Sequence, residues 1–111
     1  RAKEETEAEK LIEDSKLLEK AGCFSIVLEK IPANLAKKVA KSVNIPIIGI
    51  GAGADVDGQV LVLHDMLGMT NEFNPRFLRR YLNIFQDATK AIEKYSEDVK
   101  NGNFPNKEEE Y

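Results

Sequence analysis

Few residues in this chain carry the groups that chemistry requires: Glu29, the run Gly49-Ile50-Gly51-Ala52-Gly53, the pair Asp55 and Asp57, and His64-Asp65. Glu29 closes the apolar stretch Cys23-Phe24-Ser25-Ile26-Val27-Leu28 and precedes Pro32. A carboxylate anchored by apolar neighbours and stiffened by a proline is partly desolvated. That raises its pKa and suits it to act as a general base. A glutamate that merely opens a loop fits the same position.

The glycine run lets backbone approach a ligand closely and offers amides to an anion. Gly51 and Gly53 are its candidate ligand contacts, and tight packing at the rim of a sheet explains them equally well. It is not a dinucleotide fingerprint, because Asp55 and Gly58 keep an immediate helix from presenting its N-terminus. Asp55 and Asp57 have a spacing found in cation loops, but no further carboxylates complete such a loop, which favours turn-forming aspartates. The sequence has 1 histidine and 1 cysteine. A histidine pair for a metal is therefore excluded, and His64 is better read as a hydrogen-bonding residue at a strand end. Cys23 has no nearby base and reads as a buried, inert thiol.

The elements that must hold these groups are legible from hydrophobic spacing. Thr6-Glu7-Ala8-Glu9 has the spacing of a capping box, and Ala8, Leu11, Ile12, Ser15 and Leu18 then line one helical stripe that Gly22 ends. The stretch 23–28 reads as a strand covered on both faces. Pro32 suits the first turn of a second helix buried through Leu35, Ala36, Val39, Ala40 and Val43. Asn44 and Pro46 end that helix, and Ile45-Pro46-Ile47-Ile48-Gly49-Ile50 forms a second covered strand. Residues 59–63 form a third. Asn74-Pro75 then starts a long helix, running through Phe77, Leu78, Tyr81, Leu82, Phe85, Ala88, Ile92, Tyr95 and Val99 to about Lys100, with its aromatic residues in the core.

Strands alternating with helices define an α/β fold with parallel pairing. A free-standing sheet of three such strands would leave flat apolar edges, which favours a piece of a larger barrel. The chain has 111 residues, whereas a complete (β/α)₈ TIM barrel needs about 250. Residues 1–105 are accordingly read as the C-terminal portion, about three βα units, of a single barrel domain that is incomplete without an N-terminal half, and residues 106–111 as a frayed polar tail. In a parallel barrel the functional end is the mouth at the C-terminal ends of the strands, where the candidate groups fall.

Composition narrows the partners. With 42% hydrophobic and 32% charged residues the chain fits neither a disordered nor a membrane class. Its 16 basic residues against 19 acidic give a net charge of −3, which does not favour nucleic acid. No apolar run approaches the ~20 residues needed to span a bilayer. The opening Arg1-Ala2-Lys3-Glu4-Glu5 is not a secretory leader, and one cysteine cannot form an internal disulfide, so a cytoplasmic setting is expected.

Three segments occur in order: Val27-Leu28-Glu29-Lys30-Ile31-Pro32, then Ile45-Pro46-Ile47-Ile48-Gly49-Ile50-Gly51-Ala52-Gly53, then Asp57-Gly58-Gln59-Val60-Leu61-Val62-Leu63-His64-Asp65. Together they resemble the C-terminal part of the ketopantoate hydroxymethyltransferase family, and Gly102-Asn103-Phe104-Pro105 is similar to its closing segment. Lys30 and Ile31 depart mildly from that family, in a loop that usually carries a smaller or uncharged residue.

The resemblance implies a (β/α)₈ barrel to which this chain gives the sixth, seventh and eighth strands, assembled into cytoplasmic decamers. It implies transfer of a one-carbon unit from 5,10-methylenetetrahydrofolate to the 2-oxo acid 3-methyl-2-oxobutanoate, giving 2-dehydropantoate for pantothenate and coenzyme A synthesis. It implies that Glu29 is the proton acceptor. It further implies Mg²⁺ chelated by the keto acid and by acidic side chains of the N-terminal half, with no metal ligand in this chain. Arg1 opens the sequence without methionine just ahead of a helix, as expected of a piece separated from that half. The alternatives are a related barrel acting on another 2-oxo acid, with Glu29 kept as base, and a truncated non-catalytic module that binds a partner through its open sheet edges.

Overall fold

A computed structural model describes residues 5–111. The elements run α1 (Glu5–Lys20), β1 (Ile26–Glu29), α2 (Ala33–Ser42), β2 (Ile47–Ile50), β3 (Gly58–Gln59), α3 (Leu63–Met66), α4 (Ile84–Lys100) and a short 3₁₀ turn, Lys107–Glu109. They group into two compact units: residues up to Leu61 together with Pro75–Leu78, and Val62–Asn74 together with Arg79–Tyr111.

The first unit holds a sheet of order β1-β2-β3, parallel throughout. Ile26 pairs with Ile47, Val27 with Ile48, Leu28 with Gly49 and Glu29 with Ile50. Because strand side chains alternate between faces, Ile26, Leu28 and Ile47 point one way. They join Leu35, Ala36, Val39 and Val43 in the core, with Leu11 and Ile12 of α1 packed against it. Both helices therefore cover one face of the sheet. The other face carries Val27, Glu29, Ile48 and Ile50; neither α1 nor α2 packs on it, and Val27 and Glu29 are exposed while Ile48 and Ile50 are half-buried. Val27 is 61% exposed, so the expectation of a strand buried on both faces fails within this chain.

Helix α1 already includes Glu5 and Thr6, so Thr6 lies inside the helix and is not its cap. Residues 1–4, which open the predicted first domain, lie outside the described residues. The helix stops as expected. Gly22 takes a left-handed φ of 101°, its amide donates to Glu19 O and the Cys23 amide to Leu18 O, the paired bonds of a Schellman end. Glu19 then accepts from the Asn44 amide at 2.6 Å and the Ile45 amide at 3.2 Å, tying the end of α1 to the entrance of β2. Pro32 sits at the N-cap of α2 rather than within its first turn, and Val43 rather than Asn44 is the C-cap.

The entrance of β2 has a second anchor. Asp57 Oδ2 accepts from the buried Ile47 amide at 2.8 Å, and the Asp57 amide donates to Ile47 O at 2.9 Å. Asp57 is thus a turn-forming aspartate that closes the 47–57 loop. Replacing it by alanine strands a buried donor and is expected to cost about 1–3 kcal/mol. In urea unfolding of the full-length protein, Asp57→Ala should lower the midpoint clearly and Asp57→Asn, which keeps an acceptor oxygen, should lower it less. Equal losses would contradict this role.

The later elements depart from the sequence reading. The third strand is Gly58–Gln59 instead of 59–63, and Leu63–Met66 turns into α3. The long helix begins at Ile84, with Asn83 Oδ1 accepting from the Gln86 amide, instead of at Pro75. The helical spacing of residues 77–85 is real but is used otherwise. The amides of Tyr81, Ile84 and Phe85 donate to the carbonyls of Met66, Leu67 and Gly68, and the Arg80 guanidinium donates to Phe73 O and Asn74 Oδ1. The apolar stripe of α4 is not core in this chain: Ile92 is 68% and Tyr95 58% exposed. Tyr95 meets Phe104 edge-on, with ring centroids 5.6 Å apart. The polar tail is exposed throughout and contains one short turn. Asn106 and Glu109 form a reciprocal capping box around its 3₁₀ turn.

Candidate functional site

Glu29 is the last residue of β1, at the C-terminal end of the parallel sheet, where the sequence reading puts it. It lies on the face opposite α1 and α2, beside Ile50. Its side chain is exposed, so the desolvation expected of it is not supplied by this chain. What the chain does supply is the position: a carboxylate at the strand end, above the apolar patch of Val27, Ile48 and Ile50.

The chain turns sharply just after it. Lys30 has φ 53°, a left-handed conformation uncommon for a residue with a β-carbon, and its amide donates to Ile50 O at 3.0 Å. This turn carries Ile31, Pro32 and Ala33 across the end of the sheet, where they line an open cavity of about 690 Å³ together with Gly51, Gly53 and Pro75-Arg76-Phe77. The volume is in the range of small-molecule sites. Lys30 and Arg76 make its charged lining positive, and Glu29 is not part of the wall.

Both candidate glycines line this cavity, and geometry requires glycine more strictly at one of them. Gly53 has φ 81°, and a β-carbon there would lie 2.5 Å from Ala33 Cβ and 3.0 Å from Ala33 Cα. At Gly51 a β-carbon would meet the ring of Phe77 at 3.2 Å. Close approach of the glycine turn to α2 and to Phe77 is therefore evident, which is the packing alternative. The same turn is also the floor of the cavity.

The remaining candidates fall elsewhere. Asp55 is exposed on the loop and Asp57 is engaged at β2. His64 lies within α3 of the second unit, exposed, rather than at a strand end. Cys23 is half-buried rather than buried. Among the described residues no three His, Cys, Asp or Glu side chains are grouped to hold a metal ion. No helix is long and apolar enough to cross a membrane among the described residues. Sequence reasoning missed Arg76 and Phe77 as cavity residues, because Asn74-Pro75 imitates a helix start. It also missed the side chain of Gln59, which reaches Gly53 O.

Residues 1–107 match the family model described as ketopantoate hydroxymethyltransferase. Similar curated proteins are named 3-methyl-2-oxobutanoate hydroxymethyltransferase. That of Flavobacterium johnsoniae is 71% identical over 111 residues, that of Christiangramia forsetii 68% and that of Parabacteroides distasonis 62%. Each alignment covers 100% of this chain and 41% of the relative, so the chain spans well under half the length of the curated proteins it resembles.

Proposed function

The chain belongs to the ketopantoate hydroxymethyltransferase family, and from that premise we propose that it forms the C-terminal part of an enzyme that hydroxymethylates 3-methyl-2-oxobutanoate. In this reading the one-carbon unit comes from 5,10-methylenetetrahydrofolate, and the product, 2-dehydropantoate, enters pantothenate synthesis. Glu29 accepts the C3 proton of the keto acid. Water adds to the methylene carbon and both its C–N bonds break, releasing tetrahydrofolate and leaving the one-carbon unit as formaldehyde. The carbanion adds to that carbonyl carbon, and the resulting alkoxide takes up a proton to give the hydroxymethyl group.

One observation carries the reading. The sheet is parallel, α1 and α2 cover one of its faces, and Glu29 stands at the C-terminal end of the opposite face. In a (β/α)₈ barrel the helices lie outside and the opposite face of each strand points inward, with reacting groups at the C-terminal mouth. Val27, Ile48 and Ile50 then become barrel-interior residues, and Glu29 stands at the mouth above them. Strands from the sequence absent here would supply the walls that desolvate Glu29. Both compact units belong to this one barrel in the proposal, and the complete protein works as a cytoplasmic homo-oligomer, a decamer.

The Mg²⁺ that this chemistry implies does not fit the described residues, because they offer no cluster of carboxylates. Its ligands belong, in this reading, to the missing N-terminal half, and no step is assigned to it through this chain. The test is product formation. Given 3-methyl-2-oxobutanoate, the folate donor and Mg²⁺, the full-length protein is expected to form 2-dehydropantoate, and the isolated 111 residues none. Product from the isolated chain would contradict the need for the missing half. A full-length protein that turned over only some other 2-oxo acid would replace the substrate named here.

A further inference from the structure

The glycine turn at the sheet end is fastened by one side chain that the reaction as described does not use. Gln59 Nε2 donates to Gly53 O at 2.8 Å. Among the described residues this is the one hydrogen bond that reaches residues 51–56. The path for it is open because Gln59 pairs in register with Gly49, where a β-carbon would lie 3.2 Å from Val56 Cγ2, 3.3 Å from Ala52 Cβ and 3.8 Å from Gln59 Nε2. A side chain at position 49 would crowd the amide of Gln59 and the segment it holds. At the far end of the same link, Gly53 rests on Ala33 at the start of α2. A missing side chain, a reaching amide and a second missing side chain thus form one device.

We propose that Gln59 is a positioning residue: its amide holds residues 51–53 against α2, and so sets the shape of the cavity floor beside the strand end that carries Glu29. The proposal rests on the functional reading above for its kinetic consequence. Glu29 lies on β1 and does not contact this link, so losing the link displaces the binding surface more than the base.

Two variants test it in the full-length enzyme. Gln59→Glu keeps the size and sets a second acceptor against Gly53 O, and Gln59→Met keeps the length with no donor. Either is expected to raise KM for at least one of the two substrates by up to about tenfold, the upper scale of one lost solvent-accessible hydrogen bond, with kcat changing far less. Gln59→Met provides the reading if Gln59→Glu does not fold. A lowered melting temperature with both KM values unchanged would overturn the proposal, since a merely structural link moves stability alone.

A second readout needs no substrate. Cleavage within residues 51–57 by a non-specific protease under native conditions is expected to quicken about tenfold in Gln59→Met, because the segment loses its tie. Wild-type cleavage rates would overturn the proposal. A wild-type enzyme that forms no product would defeat the functional reading, and the protease experiment would still decide the role of Gln59.

Discussion

Replacing Glu29 by glutamine in the full-length enzyme is expected to lower turnover by about 10²–10⁴, the usual contribution of a positioned general base. The fold should be unharmed. Glu29 is exposed, and among the described residues no hydrogen bond or ion pair depends on its carboxylate. The amide is nearly isosteric, so it keeps the strand end and removes only the ability to accept a proton. Steady-state rates and a thermal melt, taken on the same preparation, separate the two effects. A loss of activity with an unchanged melting temperature supports the role of base. An unchanged rate removes it.

A single methyl group added at Gly53 is expected to have a large structural effect at the cavity floor. Gly53→Ala combines two costs. A left-handed φ of 81° disfavours any residue with a β-carbon, and the new atom would overlap Ala33 Cβ at 2.5 Å. Together these amount to about 2–5 kcal/mol. The matched control is Gly22→Ala. Gly22 also has a positive φ, of 101°, but no atom lies within 4 Å of its added β-carbon. That control should cost only the conformational part, about 1–2 kcal/mol. Urea unfolding of both variants isolates the steric part as their difference. If the two were equally destabilised, the glycine turn would not be packed on α2 as described. Crowding at Gly53 should also damage activity, since its backbone is part of the cavity floor.

The sequence disclosed most where local rules and tertiary use agree. The end of α1 at Gly22, the buried stripe of α2 from Leu35 to Val43, the parallel pairing of two short strands and the position of Glu29 all follow from spacing and turn chemistry. Disagreement arose where a local pattern served another purpose. Asn74-Pro75 has the chemistry of a helix start and Phe77, Leu78 and Tyr81 keep helical spacing, yet the amide of Tyr81 bonds to Met66 O and Phe77 covers Gly51. Periodicity states which residues share a face and is silent about what covers them. Ile92 and Tyr95 form a proper apolar stripe on α4 that stays largely exposed, Tyr95 meeting only the edge of Phe104 among the described residues, just as Val27 is exposed on the sheet.

The site was legible to the same extent. A strand-end carboxylate followed by a proline turn marks Glu29, and alternating glycines mark a close approach of backbone. The residues that complete the arrangement leave no such mark. Gln59 acts through an amide reaching across a glycine in the neighbouring strand, and Asp57 acts on an amide ten positions earlier. Only the sheet register brings either pair together.

The proton step itself offers the sharpest test. With full-length protein, Mg²⁺ and 3-methyl-2-oxobutanoate in D₂O, and with the folate left out, replacement of the C3 hydrogen by deuterium reports proton abstraction without the transfer that follows. Exchange by the wild-type enzyme, and its loss in a correctly folded Glu29→Gln variant, is the predicted result. Exchange at the wild-type rate in that variant would show that some other group takes the proton.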